Sequence, residues 1–496
     1  MNFYHTHSED FYSLGRTFVL TGLFNLENTE EQETETVLEN RSLSGLFTQL
    51  NFQYEKWLYL KLGGRGDWSS ALGSRLNIYP SASAMLVWTE GLSSSLLSCG
   101  NLRLAWAKTG NLPAAERVRS VFERQQPDLF DALSYSLENL FEKAGLIPET
   151  SQDFEIGSNL HFLDHNLGFD INFYHRKSTN QILLKEISPG QEYQIVQQGR
   201  LINRGVELAL YLPRTLKWGH WQWEAELTFY TNNSKLGDLK GLGVDSTGVL
   251  QGGGYWSTAQ IRALDGQAYG AVYGFHYSRF GDLPPDHPNY LGQPFLIDED
   301  GHPIRQLDRV LLGNTMPDCV MSLHSRIEYR NLSLGFLLER RRGGVVINGM
   351  KGHLVNTGQA MLTENRWYAD ADPYANARMV FEGISEDGNP NELAATLDNN
   401  YYSNTWARTD ENLAEDGSWW RLRYIYFMYK IPIEGKKMKF LSEISVRLTI
   451  RNAWLLTKYS GIDPEVNALG ALELPGYDEA SVPNTRSWEI GFSVKF

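Results

Sequence analysis

Covalent chemistry finds few footholds in this sequence. It has no Gly-x-Ser-x-Gly elbow, no His-Glu-x-x-His, no phosphate-cradling glycine loop and no Cys-x-x-Cys pair, the short patterns that present a nucleophile, a metal or a phosphate. Asp298-Glu299-Asp300-Gly301 begins like a calcium loop but lacks the downstream spacing of the remaining ligands, so a solvated turn is expected and no metal. Cys99 and Cys319 stand far apart without ligand or redox spacing and read as isolated thiols. Arg340-Arg341-Arg342-Gly343-Gly344 offers guanidinium forks to an anion, although a strand end touching a lumen or headgroups would use the same residues. Non-covalent chemistry is better served. Tyr255, Trp256, Trp367, Tyr368, Tyr401, Tyr402 and Trp406 fall in long connecting segments, where aromatic faces can stack on sugar rings or grip a peptide. Packing inside the loops is the competing use of the same rings. Spacing in the sequence does not decide whether two carboxylates meet at the ~5–9.5 Å of a glycosidase.

Strands must hold such loops, and the chain is full of them. Leu167, Phe169, Ile171 and Phe173 alternate with Gly168, Asp170, Asn172 and Tyr174; Trp221, Trp223, Ala225, Leu227 and Phe229 alternate with Gln222, Glu224, Glu226, Thr228 and Tyr230. Ile444, Val446, Leu448 and Ile450 alternate with Ser445, Arg447, Thr449 and Arg451, and shorter cases run Leu102, Leu104, Trp106 and Val206, Leu208, Leu210, Leu212. Side chains along a strand point alternately to opposite faces, so each segment makes a ribbon with one apolar and one polar face. Roughly twelve to fourteen such strands are expected. The chain closes on one of them: Trp488, Ile490, Phe492, Val494 and Phe496 alternate with Glu489, Gly491, Ser493 and Lys495. At ~3.3 Å per residue its two end aromatics are roughly 26 Å apart, and a tilt of ~40° leaves a height of about 20 Å, close to a membrane's apolar band. A half-buried strand of a soluble sandwich alternates in the same way, and these nine residues do not choose between the two.

Composition narrows the classes. The 496 residues are 42% hydrophobic and 12% aromatic with 45 Gly, and the mean hydropathy is -0.37, so the chain can bury a large core or build one large barrel. Nothing approaches the ~18 unbroken apolar residues of a membrane helix, which leaves a barrel open because its strands need only ~9–11 alternating residues. A net charge of -14 and a pI near 5.3 disfavour nucleic acid, which requires clustered Lys and Arg. The acidic run from Glu27 to Glu35 reads as solvated. Met1 leads into Asn2-Phe3-Tyr4-His5 without the basic start and apolar core of a signal peptide, so an export signal is expected elsewhere.

Connection lengths are uneven: short around Asn331, very long over about 111–150, 233–318 and 346–417. Compact soluble domains seldom hold several such loops, whereas outer-membrane barrels pair short turns on one side with long loops on the other. Short amphipathic helices are expected over Ala114–Phe122 and Leu133–Phe141 in the first; the other two, rich in Gly, Pro, Asn and Asp, are expected to be irregular.

Several segments resemble the SusC/RagA group of TonB-dependent outer-membrane transporters of Bacteroidetes. Ile78-Tyr79-Pro80-Ser81-Ala82-Ser83-Ala84 resembles the group's aromatic-Pro-Ser-x-Ser-Ala strand, after Gly64-Arg65-Gly66-Asp67-Trp68-Ser69-Ser70, which is similar to its Arg-x-Asp-x-Ser-Ser turn. Leu102 to Asn111 resembles its Leu-Arg-x-Ser-Tyr-Gly-x-Thr-Gly-Asn segment, and Leu201 to Leu208 its Asn-Lys-Gly-Ile-Glu-Leu strand start. Trp420-Arg421-Leu422-Arg423-Tyr424, Gly461-Ile462-Asp463-Pro464-Glu465-Val466 and Pro483-Asn484-Thr485-Arg486-Ser487-Trp488 follow in the group's order. Each is weak alone, and their ordered set is specific.

The resemblance implies an all-β fold: antiparallel transmembrane strands with long extracellular loops, forming the C-terminal part of a 22-stranded barrel. Residues 1–496 would be barrel throughout, with no plug domain, TonB box or signal peptide among them. It further implies a transporter and not an enzyme, without cofactor, seated in outer-membrane lipid and importing oligosaccharides or peptides with a SusD-like surface lipoprotein. TonB-ExbB-ExbD would act through a complementary N-terminal barrel and plug portion. Trp488, Ile490, Phe492, Val494 and Phe496 resemble the closing signal read by the outer-membrane assembly machinery. A self-contained porin or adhesin, and a secreted all-β carbohydrate hydrolase, are the alternatives.

Overall fold

Period-two alternation is satisfied by strands in register, and a computed structural model shows the chain built that way. Described are all residues except 1, 21–24, 71–74, 91–95, 112–121, 126–133, 138–139, 142–145, 189–191, 240–246, 252–255, 286, 288, 365–377, 433–440 and 469–475. Fourteen long strands form one sheet in the order of the sequence: β1 (Asn2–Phe18), β2 (Thr29–Tyr54), β3 (Leu58–Ser69), β4 (Leu76–Leu86), β5 (Leu97–Asn111), β6 (Glu149–Phe162), β7 (Leu167–Thr179), β8 (Arg200–Trp218), β9 (Trp221–Gly237), β10 (Cys319–Tyr329), β11 (Leu332–Arg342), β12 (Trp419–Ile431), β13 (Glu443–Thr457) and β14 (Ser487–Lys495). The all-β expectation and the strand count are both met.

Contacts gather into two units. In the first, Met1–Met85 with Ala105–Phe154 and Lys177–Gly199, β1 pairs antiparallel with β2, and β2 with β3. Leu50 and Phe52 stand opposite Leu62 and Leu60, and all four are exposed on one face. Glu55 takes the left-handed conformation in the short β2–β3 turn, and the Trp57 ring meets Tyr54 edge-on, centroids 5.5 Å apart. Phe122–Gln125 and Ser134–Leu137 pair as an antiparallel hairpin, which corrects the helix expected over Leu133–Phe141. Ser134-Tyr135-Ser136-Leu137 carries a period of two, and a hairpin partner satisfies its backbone where an isolated short helix would be marginal. Residues 114–121 of the other expected helix lie outside the described residues.

The second unit, Leu86–Leu104 with Glu155–Arg176 and Arg200–Phe496, carries β8 to β14. Here the register aligns the apolar positions into continuous rows. One row reads Trp218, Trp221, Tyr329, Leu332, Tyr429, Val446, Phe492; the next Trp223, Ile327, Leu334, Phe427, Leu448, Ile490; a third Leu212, Ala225, Ser325, Phe336, Ile425, Ile450, Trp488. A further row runs Leu210, Leu227, Leu323, Leu338, Leu422, Trp454. Most of this face is open: Phe427, Ile490 and Phe492 are 57, 68 and 76% exposed. The one serine of these rows, Ser325, accepts the Trp223 indole N–H at 3.1 Å. Aromatics collect at the edge closed by two-residue turns, Gly219-His220 and Arg330-Asn331; there the Trp221 and Tyr329 rings lie 4.6 Å apart.

The opposite face is polar and ion-paired. Arg451 holds Glu489 at 2.6 Å, Lys495 holds Glu443 at 3.0 Å, and Arg447 lies 3.9 Å above the Tyr426 ring. Tyr426 covers its cross-strand partner Gly335, where a Cβ would stand 2.3 Å from the ring. Gly335→Val is therefore expected to lower folding stability by roughly 1–3 kcal/mol through overpacking, read as an earlier denaturant midpoint in detergent or lipid, while Gly64→Ala, with open space above it, leaves it unchanged.

The long connections are not irregular, contrary to expectation. Residues 238–318, 343–418 and 458–486 share one core of fully buried Ala259, Ile261 and Val272 from the first, Ile347 and Leu413 from the second and Tyr477 from the third. Val345–Asn348 pairs antiparallel with Ala414–Asp416 and parallel with Tyr477–Asp478. Gln260–Leu264, Ala271–Tyr277 and Arg305–Asn314 form antiparallel neighbours, and Phe295–Ile297 runs parallel to Gly383–Ser385. No one connection buries this core; the apolar residues are spread thinly over three, which is why composition alone suggested loops.

Candidate functional site

Side chains that tie the three connections together define the first part of the site. Asp410, 1% exposed, accepts the Thr258 N–H at 3.0 Å and hydroxyl at 2.8 Å and the Phe275 N–H at 2.9 Å. Glu411 accepts the Tyr277 N–H at 3.0 Å and pairs with Arg279, whose guanidinium stacks on Phe295. The Tyr477 hydroxyl donates to the Ala259 carbonyl at 2.7 Å. Asp410→Ala is expected to cost about 2 kcal/mol, the range of hydrogen bonds to a charged group, and to open 238–318 to protease while β8 to β14 stay protected.

The aromatic residues expected at a ligand are committed to packing where they are described. Tyr401 and Tyr402 lie on the π-helical turn Tyr401–Trp406, buried with Val355, Leu397 and Ala407. Tyr401 stacks on His302 at 5.0 Å, and the Tyr402 hydroxyl donates to the Leu362 carbonyl. Trp256 stacks on His353 at 4.4 Å, and Trp406 packs against both clusters under the Lys351 ammonium, 5.5 Å from its ring. Tyr255, Trp367 and Tyr368 lie outside the described residues. Asp298 caps a turn by accepting the N–H groups of Asp300 and His302 at 2.9 and 2.8 Å.

A cavity of about 400 Å³ opens instead on the polar face, within the range of small-molecule sites. Glu155, Asn172, Tyr174, Arg176, Leu201, Asn203, Glu207, Asn232 and Ser234 line it from β6 to β9, and Tyr269 and Met316 from the first long connection. Its amides are cross-linked: Tyr174 donates to Asn232, which donates to Asn203, both at 3.1 Å. The Tyr269 N–H bonds Ser234 at 3.0 Å, seating the connection on the wall. In the sequence Asn172 and Tyr174 stand as polar partners of an apolar alternation and Leu201, Asn203 and Glu207 within a motif, and their convergence depends on register.

Three of the weak sequence motifs meet in one ion cluster. Arg421, 2% exposed, reaches Asp463, 4% exposed, at 2.5 Å and Glu465 at 3.1 Å. Arg423 forks onto Glu465 and also meets Glu339. Asn484 donates to Asp463 and Glu465 at 3.1 and 3.3 Å. Burial pulls the Asp463 carboxyl upward, but the Arg421 hydrogen bond and its neighbours outweigh it and hold it below the usual range. The cluster pins 458–486 to the ends of β11 and β12.

A sheet with one open apolar face and one ion-paired face is the fold of a membrane barrel wall, and the sequence matches the family described as TonB dependent receptor-like, beta-barrel, over residues 3–295. The chain belongs to that family. TonB-dependent receptor P26 of Formosa agariphila is 25% identical over 98% of this chain and 49% of the receptor, and P3 of the same organism 23% identical over 94% and 46%. TonB-dependent receptor SusC of Bacteroides thetaiotaomicron is 21% identical over 70% of this chain. The solved RagAB peptide transporter covers 99% of this chain with 52% of its own, at a TM-score of 0.68 and 18% identity. The resemblance carried by the motifs is thus met in both sequence and fold. The chain spans about half the length of the curated relatives it matches.

Proposed function

We propose that this chain forms the C-terminal share of the barrel of a SusC-like TonB-dependent importer in the outer membrane. The observation that carries the reading is the set of registered apolar rows across β8 to β14, exposed on one face and opposed by ion pairs on the other. In water such a face would be a large exposed apolar patch; in lipid it is the wall. Backbone groups at an open sheet edge cost several kcal/mol each in hydrocarbon, so a wall in lipid is a closed barrel. In this reading further strands complete the wall, together with the plug through which TonB-ExbB-ExbD acts, supported by the chain spanning about half the length of its relatives. Trp488, Ile490, Phe492, Val494 and Phe496 serve as the closing signal for assembly, supported by their exposure on the apolar face.

The long connections, folded around one core, present a preformed surface to a SusD-like lipoprotein, and the polar cavity lies on the substrate path. Oligosaccharide or peptide is the cargo class; the role is carriage and not catalysis. Co-expression of the chain with the preceding barrel and plug segment is expected to give a carbonate-resistant, protease-resistant outer-membrane protein, and the chain alone is expected to aggregate. Recovery of the chain alone as a soluble monomer would contradict the reading. Growth of a deletion strain on glycans and on peptides assigns the cargo.

A further inference from the structure

Among the described residues most cations of β8 to β13 on the polar face are ion-paired, exceptions being Arg341, which donates to the Thr315 carbonyl, and Arg447, which lies over the Tyr426 ring. On the polar face Arg326, Arg421, Arg423 and Arg451 each meet a carboxylate. On the apolar face Arg200, at the start of β8, meets Asp238 at 3.3 Å, whereas Arg340 and Arg342 of β11, Arg204 of β8 and Lys235 of β9 meet no carboxylate within ion-pair distance among the described residues. Their faces follow from register. Arg340 sits between Met321 and Trp420, and Leu338, two residues before it, belongs to the apolar row Leu323, Leu338, Leu422, Trp454; Arg342 follows opposite Cys319. Arg204 stands opposite Asn233 and Lys235 opposite Ile202, beyond Val206 and Leu208. All four lie at the end of the apolar band nearest the long connections.

Local contacts hold these cations without neutralising them. The Arg340 guanidinium lies 4.6 Å over the Trp420 ring, which fixes it at the aromatic margin of the band. Arg204 donates to the imidazole Nδ1 of His175 at 3.0 Å, a neutral acceptor. Asp318 donates its backbone N–H to the Arg342 carbonyl at 2.9 Å and makes no ion pair with the side chain. Uncompensated charge beside lipid is costly unless an anion meets it, and a guanidinium fork matches phosphate oxygens. We propose that Arg340 and Arg342, with Arg204 and Lys235 along the same margin, bind the phosphate groups of a phosphorylated lipid headgroup in the leaflet on the side of the long connections. This rests on the membrane reading above.

The test uses the full transporter extracted in detergent, with monophosphoryl lipid A in mixed micelles as probe and native mass spectrometry as readout. Arg340→Gln/Arg342→Gln is expected to weaken lipid retention about tenfold, Arg204→Gln/Lys235→Gln several-fold, and Arg451→Gln on the polar face not at all. Arg340→Lys/Arg342→Lys keeps the charge without the fork and is expected to fall between. Removing the lipid's phosphate should weaken binding to the unmutated protein as much as the double Gln variant does. Displacement by millimolar inorganic phosphate would overturn the proposal in favour of a soluble-anion site, and equal retention by all variants would overturn it outright. Fractionation of the same preparations keeps the two readings apart: insertion without phosphate dependence removes this proposal alone, and failure to insert removes the membrane reading.

Discussion

Arg421→Met is expected to release residues 458–486 from the wall at a cost of about 3–5 kcal/mol, the loss seen when one partner of a buried pair is removed. The substitution leaves the Asp463 carboxylate, 4% exposed, facing a thioether, and takes one of the two guanidinium groups from Glu465. Hydrogen exchange should register the change as a loss of protection at the Glu465 N–H, which Asp463 accepts at 3.0 Å, and at the Val466 N–H, bonded to the Asp463 carbonyl. Glu489→Gln, which removes an ion pair about half exposed on both sides, is the contrast and should cost under ~1 kcal/mol. The pH dependence has a definite sign. The folded Asp463 carboxyl is held below its unfolded value, so its stabilisation is complete above the unfolded pKa of ~3.9 and is lost as pH falls through the lower folded value. Unchanged protection in Arg421→Met would show that 458–486 is held by the shared core alone.

Phe427→Arg is expected to have an effect of similar size by different physics. Phe427 is 57% exposed in the middle of the row that joins Leu334, Phe427, Leu448 and Ile490. An arginine there would sit near the bilayer midplane, where the cost is about 2–4 kcal/mol. One residue on, Met428 belongs to the polar face opposite Arg447, and Met428→Gln should cost about 1 kcal/mol or less. Denaturant titration of the assembled protein in lipid vesicles measures both. If the face were merely water-exposed, Phe427→Arg would be neutral or favourable, so the sign separates lipid from water as its solvent.

The strands were legible because a half-buried wall writes a period of two directly into the sequence. Trp221 to Tyr230 and Ile444 to Arg451 needed no tertiary information. The loop assembly was not legible: Ala259, Leu413 and Tyr477 come from three connections and acquire a common core only once the strands bring them together. Tyr401 and Tyr402 were misleading for the same reason, because a ring in a Gly- and Asn-rich segment looks available until the segment buries it. The motifs Trp420–Tyr424, Gly461–Val466 and Pro483–Trp488 were visible individually, and their common purpose, the cluster of Arg421, Arg423, Asp463, Glu465 and Asn484, appears only in space. The polar cavity has the same origin, since Asn172, Asn203 and Asn232 are neighbours only by register across β7, β8 and β9.

In the membrane reading one face of this sheet meets lipid and the other meets water. Spin labels placed singly along β13 of the membrane-assembled protein test it through collision with oxygen, which partitions into lipid, and with a water-soluble nickel chelate. Ile444, Val446, Leu448 and Ile450 are expected to favour oxygen and Ser445, Arg447, Thr449 and Arg451 to favour nickel, with a strict period of two. Equal nickel access at both sets, or shielding of the apolar set from both reagents, would contradict it.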